Sequence, residues 1–320
     1  MDYTGYIGTY DSPKSSGIYR FIFNDRTGSI SPPGSFYKTD GGKCVAFAGK
    51  NLIVTREHNN KAGIALIDEQ ANVLSESLLE KKTPCFITFH NNMIYTANYH
   101  DGTVLLYKID NYKLQLIKHL SIGANAGCHQ VLFWHNLIFV PCLNLDCINI
   151  YDTAKDFTLK GKIPFAKGTG PRHGVFSNDE KRFYLVSELS NELFYFELQP
   201  DNSWKLKKQL SIVAKSATVD SATAAIRISI NNHFLYTSTR GSNLLTVFSI
   251  SDGPPTCIQQ ISSAGDHPRD FLLSSNGDYL LVVNRSSNEL ISMHINRSTG
   301  LIENIVARRP VFEGVGIALK

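Results

Sequence analysis

Seven times along this chain an apolar strand ends in a polar cluster, a turn built on Gly, Asn or Ser follows, and a second strand rich in β-branched and aromatic residues leaves. The copies are YIGTYDSPKSSGIYRFIF from Tyr6, IVTREHNNKAGIALI from Ile53, YTANYHDGTVLLYKI from Tyr95, FVPCLNLDCINIYD from Phe139, LVSELSNELFYFEL from Leu185, YTSTRGSNLLTVFSI from Tyr236 and LVVNRSSNELISMHI from Leu281. Successive copies start 42 to 51 residues apart, the spacing of four-stranded sheets arrayed radially as blades. Seven units of about 46 residues take up all 320 positions. The repeat therefore predicts an all-β, seven-bladed β-propeller of four-stranded antiparallel blades, a single domain over residues 1–320 with its site around the central channel at one end of the blades.

One unit, Gly170 to Val213, shows the parsing. HGVF begins a first strand, NDEK turns it, RFYLVSE is the second, LSN turns again, ELFYFEL is the third, and WKLKKQLSIV is a Lys-rich outer strand after the turn QPDN. Alternation in ELFYFEL predicts a half-buried strand, and the absence of sustained helical periodicity predicts almost no helix. YTGYIGTY precedes the first full repeat and RRPVFEGVGIALK follows the seventh, so the two segments are expected to share a blade and close the ring.

Antiparallel order puts residues before each first strand and residues ending each second strand on one face. This brings together Arg172, His173 and Glu188 of one unit, His129 of GCHQVLF, Arg269 of HPRDFLL, Arg240 of LYTSTR, and Asn98, Tyr99 and His100 of YTANYH. A single polar residue at a strand end is most often a solvated turn residue. Three arginines, three histidines and a glutamate on one rim make a candidate anion-and-base constellation. Gly168-Thr169-Gly170-Pro171 lacks GxGxxG spacing and precedes a strand, so it is not read as a phosphate loop.

Bulk properties narrow the function classes. A net charge of +4, without Lys/Arg blocks, argues against a nucleic-acid surface and suits a small anionic ligand. MDYTGYIGTY has neither a basic nor an apolar leader region, which predicts a cytoplasmic protein with no membrane association. The six cysteines form no CxxC and the ten histidines no HxH or HxxxH, so no metal is expected and the cysteines read as small buried thiols. A monomer or weak homo-oligomer is expected.

GCHQVLF with VPCLNLDCINIYD, GTGPRHGVFSNDEKRFYLVSELSN, AAIRISINNHFLYTSTRGSNLLTVFSI and HPRDFLLSSNGDYLLVVN, together with ANYHDGTV and the IGTY start, give a sequence that resembles the lactonase propeller family. In particular, it resembles the propeller-type bacterial 6-phosphogluconolactonases. The resemblance spans essentially the whole chain and implies hydrolysis of 6-phosphogluconolactone in the pentose phosphate pathway, or the chemistry of a carboxymuconolactone-type cycloisomerase relative. It implies roles for His129, Arg172, Glu188 and Arg269. The chain departs from the family where Cys142 to Asp146 keep only the Leu and the last Asp of DLGxD, and where Ser238-Thr239-Arg240 replaces SNR.

A lactone is an activated cyclic ester, so its hydrolysis needs a water deprotonated on attack, a stabilised oxyanion and a substrate held still. No cofactor is required. Arg269 and Arg240 are expected to grip the anionic end through paired donors, with His173 and His100 as further substrate contacts. Arg172 is expected to stabilise charge on the carbonyl oxygen. His129 and Glu188 remain as alternatives for the general base; a carboxylate flanked by arginines pulls more weakly on a proton, which favours His129. A non-catalytic, protein-binding propeller would carry aromatic and apolar anchors at this rim instead of convergent charge.

Overall fold

The computed structural model describes residues 1–213, 220–251 and 253–320. Twenty-eight strands form seven four-stranded antiparallel sheets, and the only helical pieces among the described residues are two short 3-10 turns, Leu143–Leu145 and Thr153–Lys155. We number the blades from the N-terminus and each blade's strands from the channel outward. The inner strands of blades two to seven are Val45–Ala48, Phe86–His90, Leu132–Trp134, Pro171–Phe176, Ala222–Ile228 and Pro268–Leu273. Blade one takes its inner strand, Gly314–Leu319, from the far end of the sequence, pairing it with Asp2–Thr9 through Tyr6–Ala318 and Ile7–Ile317. The two terminal segments thus share a blade as expected. No helix among the described residues is long and apolar enough to cross a membrane.

The core is divided among the seams between blades. Among the described residues seven apolar clusters are present, each drawn from two neighbouring blades, and the cluster of Ile7, Phe21, Phe23, Tyr279 and Leu281 seals blade one against blade seven. A central strand therefore buries both faces, one toward each neighbour. Here the strand ELFYFEL departs from the half-buried expectation. Leu193 and Tyr195 pack toward blade six, Phe194 and Phe196 pack toward blade four, and all four are buried. The outer strands, such as Trp204–Ser211, have solvent on one side and alternate between exposed and partly buried positions.

All six cysteines are free thiols. Cys128, Cys142 and Cys147 are buried and Cys44 and Cys85 partly so, whereas Cys257 is exposed because it lies on the outer strand Thr256–Ser262 of blade six.

Candidate active site

The channel encloses a cavity of about 460 Å³ to which the inner strand of every blade contributes, a volume within the range of small-molecule sites. Two of its arginines are aimed by the same backbone device. In blade five Pro171 pairs with Ser187 and His173 with Val186, leaving Arg172 as the extra residue of a β-bulge. In blade seven Pro268 pairs with Asn284 and Asp270 with Val283, leaving Arg269 in the matching bulge. A bulge residue is released from the pleat and its side chain is re-aimed.

The segment leading into the first bulge is pinned. The Asp146 carboxylate accepts from the Gly168 and Gly170 amides at 2.8 Å each. Gly170 has φ +64°, and a Cβ there would lie 2.6 Å from Leu189 Cγ, so the turn requires glycine. The Gly170 carbonyl then accepts from the Glu188 amide at 2.8 Å, joining the start of the blade's first strand to the end of its second. The retained acid of the DLGxD-like stretch thus holds the GTGPR turn, and the Gly168 and Gly170 amides are spent on protein.

Arg172, 1% exposed, donates from Nε to Glu188 Oε2 at 2.6 Å and from Nη1 to the Ala224 carbonyl of blade six. The same Glu188 oxygen lies 2.9 Å from Arg240 Nη2, and Arg240 Nε donates to the Ala222 carbonyl at 3.1 Å. One carboxylate oxygen therefore balances two guanidinium groups. His173 Nε2 lies 3.1 Å from His129 Nδ1, and Arg172 Nη1 lies 3.3 and 3.5 Å from the two His173 ring nitrogens.

Burial, with Arg227 and Arg240 nearby, lowers the His173 pKa to about 3. Burial, then His173, Arg269 and Arg240, holds His129 well below the ordinary imidazole value. Both rings are consequently neutral near pH 7, so one must donate and the other accept in the bond between them.

The structure places the expected residues unevenly. His129, Arg172, His173 and Arg269 line the cavity, while Glu188 and Arg240 sit behind Arg172 and do not. Arg240 is held by Glu188 and a backbone carbonyl, where the sequence reading had it gripping substrate. His100 is exposed on the turn after Met93–Asn98, and its ring contacts the edge of Tyr99, which in turn is edge-on to His129. Sequence reasoning missed Tyr10, Lys43, Arg227 and Asp270, all of which line the cavity. Arg227 Nη2 and Asp270 Oδ1 pair at 2.7 Å across blades six and seven. Lys43 lies two residues before the inner strand Val45–Ala48 and obeys the first-strand rule; extending that rule to blade two would have found it.

The family description "Lactonase, 7-bladed beta-propeller" matches residues 4–319. The chain belongs to that family. It is similar to the 6-phosphogluconolactonase of Bacillus subtilis, 28% identical with 93% of each chain covered, and equally to an uncharacterized Staphylococcus epidermidis protein, 28% identical over 90% of this chain and 91% of that one. Among solved structures, a Lactobacillus plantarum protein superposes with a TM-score of 0.93 at 27% identity over the full length of both chains. A periplasmic gluconolactonase of Pseudomonas aeruginosa, 20% identical, shares the fold with a TM-score of 0.88 over 100% of this chain and 99% of that one.

Proposed function

We propose that this chain hydrolyses 6-phosphogluconolactone to 6-phosphogluconate in the cytoplasm, as a step of the pentose phosphate pathway. The observation that carries this reading is the composition of the cavity wall: a hydrogen-bonded pair of neutral histidines beside one arginine, and a second arginine, Arg269, with no carboxylate at ion-pair distance among the described residues. Membership of the lactonase family and similarity to a 6-phosphogluconolactonase support the same chemistry.

In this mechanism Arg172 meets the developing oxyanion at the lactone carbonyl. A water attacks that carbon and gives its proton to His129 Nε2. For this, the His129 Nδ1–H must donate to His173 Nε2, the tautomer that leaves Nε2 with its lone pair. When the tetrahedral adduct collapses, the ring oxygen leaves and takes the proton from His129 Nε2, which restores the resting state and yields the open hydroxy acid. Glu188 fixes Arg172 and Arg240 in place behind the cavity wall. His129 lines the cavity and Glu188 does not, which favours the histidine as base.

The decisive assay follows disappearance of 6-phosphogluconolactone, unphosphorylated gluconolactone and a carboxymuconolactone, each corrected for spontaneous opening. Preference for the first supports the proposal; turnover of only the last transfers the site to the cycloisomerase reaction; turnover of none favours a binding module.

Two further results are expected. Arg269→Ala lowers kcat/KM on the phosphorylated lactone about tenfold to hundredfold, the weight of a lost charge-assisted contact, with a smaller loss on gluconolactone. Equal losses on both would dismiss Arg269 as the anion's ligand. The acid limb of kcat/KM for gluconolactone lies well below pH 6.5, because a lowered pKa on a cationic acid keeps the basic form to lower pH. The unphosphorylated substrate keeps phosphate titration out of the profile. A midpoint at or above 6.5 would remove His129 from the role of base.

A further inference from the structure

Across the channel from the two histidines, where blades one, two and seven meet, three cationic side chains gather around one phenol. Tyr10 directly follows the strand Asp2–Thr9, and its amide is fixed to the Glu313 carbonyl at 2.9 Å. Lys43 Nζ lies 5.7 Å from the Tyr10 ring centroid and Arg285 Cζ lies 4.7 Å from it. Arg269, re-aimed by its bulge, lines the same cavity wall as Tyr10.

These cations are not equally neutralised. Arg285 is matched by Glu313, Nε to Oε2 at 2.7 Å. Lys43 is 3.8 Å from Glu57 Oε1, beyond hydrogen-bond length, and donates to the Thr83 hydroxyl, which itself donates to that carboxylate at 3.0 Å. Arg269 has no carboxylate at ion-pair distance among the described residues, and the neighbouring Asp270 is committed to Arg227. The thiols beside it do not supply the missing charge. Burial pushes Cys44 and Cys85 up to about 12, and each spends its S–H on a carbonyl, Cys85 O at 3.2 Å and Cys128 O at 3.3 Å. Tyr10, Lys43 and Arg269 all line the cavity. The wall they form therefore has positive charge in excess.

A single arginine is enough for a carboxylate, which carries one charge and two oxygens. A phosphomonoester at neutral pH carries nearly two charges on three oxygens and calls for a second cation and another donor. Lysine supplies the point charge. A phenol donates as well as accepts, so the Tyr10 O–H can supply a further donor to a phosphoryl oxygen beside the two cations.

We infer that Tyr10 and Lys43 complete, with Arg269, a subsite for a dianionic phosphoryl group, and that these two residues set the preference for a phosphorylated lactone over one bearing a carboxylate. This inference rests on the phosphorylated-lactone reading given above. It also orients the substrate, with phosphate toward blades one, two and seven and the lactone carbonyl toward His129 and Arg172 of blades four and five.

The test uses Lys43→Met, which keeps the aliphatic stem on Tyr10, and Tyr10→Phe, which deletes only the hydroxyl, with melting curves to establish that each is folded. For Lys43→Met, kcat/KM on 6-phosphogluconolactone is expected to fall about tenfold to hundredfold, mainly through KM, and to fall at least about tenfold less on gluconolactone. Inorganic phosphate, as a competitive inhibitor of gluconolactone turnover, should lose about tenfold or more in affinity in the same variant, with Tyr10→Phe moving both readouts in the same direction by a smaller factor. Equal losses on the two lactones, or phosphate inhibition unchanged in both variants, would overturn the inference. If the unaltered protein opens neither lactone, the proposed function fails, yet calorimetric titration of inorganic phosphate into the unaltered and variant proteins still decides the subsite: binding weakened by Lys43→Met supports it, and absent or unaltered binding refutes it. Should Lys43→Met fail to fold, Tyr10→Phe alone carries the same comparison.

Discussion

His129→Ala lowers kcat by about a hundredfold to ten-thousandfold while KM stays near its original value, the signature of losing a group that acts on the proton and not on the ground-state substrate. The expectation follows from its position. His129 is 4% exposed, lines the cavity, and is held in one orientation by the 3.1 Å bond from Nδ1 to His173 Nε2. Alanine removes the base and also the N–H that His173 Nε2 accepts, so a partial loss of activity through disorder in the neighbouring ring must be separated from loss of the base. His129→Asn does so, because it retains a polar side chain on the His173 side without a titrating group. A comparable loss in both variants, with unchanged melting temperatures, assigns the proton to His129. Near-normal kcat in folded His129→Ala would move the chemistry to another group.

Glu188→Gln destabilises the fold by about 3 to 5 kcal/mol, the cost of removing one partner from a buried ionic cluster. The carboxylate is 21% exposed, so water takes up part of the deficit and the lower half of that range is expected. The reason lies in the arithmetic of charge around Oε2: Arg172 at 2.6 Å and Arg240 at 2.9 Å, with side chains only 2% and 13% exposed, share that one anion. Glutamine keeps the shape and leaves two guanidinium groups without a counter-charge. The melting temperature should drop on the order of 5 to 10 °C. The double variant Glu188→Gln with Arg172→Met should recover part of the loss, since it removes the charge that was stranded. A Glu188→Gln protein as stable as the original, to within about 0.5 kcal/mol, would show that the cluster is well solvated. Loss of activity in Glu188→Gln is accordingly ambiguous by itself, because Arg172 loses its anchor, and the pH profile has to accompany it.

Blade number, strand order and the pairing of terminal segments were legible because each depends on spacing and order, which a repeat displays directly. The rim residues were legible as a group for the same reason: antiparallel order fixes which strand ends share a face. The direction of each side chain was not. Arg240 ends a second strand, as read, but turns to Glu188 and not to the cavity. Arg172 and Arg269 follow prolines at matching places in blades five and seven, yet only the paired register reveals the bulges that aim them. Arg227 and Asp270 sit inside inner strands of different blades, so their pairing depends on inter-blade placement that neither local pattern contains. ELFYFEL was misread as half-buried because a blade has neighbours on both sides, a property of the ring and not of the strand.

The strand that closes the ring, Gly314–Leu319, also supplies Val315, Gly316 and Ile317 to the cavity wall. During synthesis it is the last of the twenty-eight strands to emerge. Until it docks, Asp2–Thr9 offers an open edge and the channel lacks one of its seven sides. A nascent chain holding every catalytic candidate from His129 to Arg269 therefore has no enclosed site in which to use them. The cavity wall is complete only once Asp2–Thr9, made early, has paired on its inner side with a strand more than three hundred residues downstream.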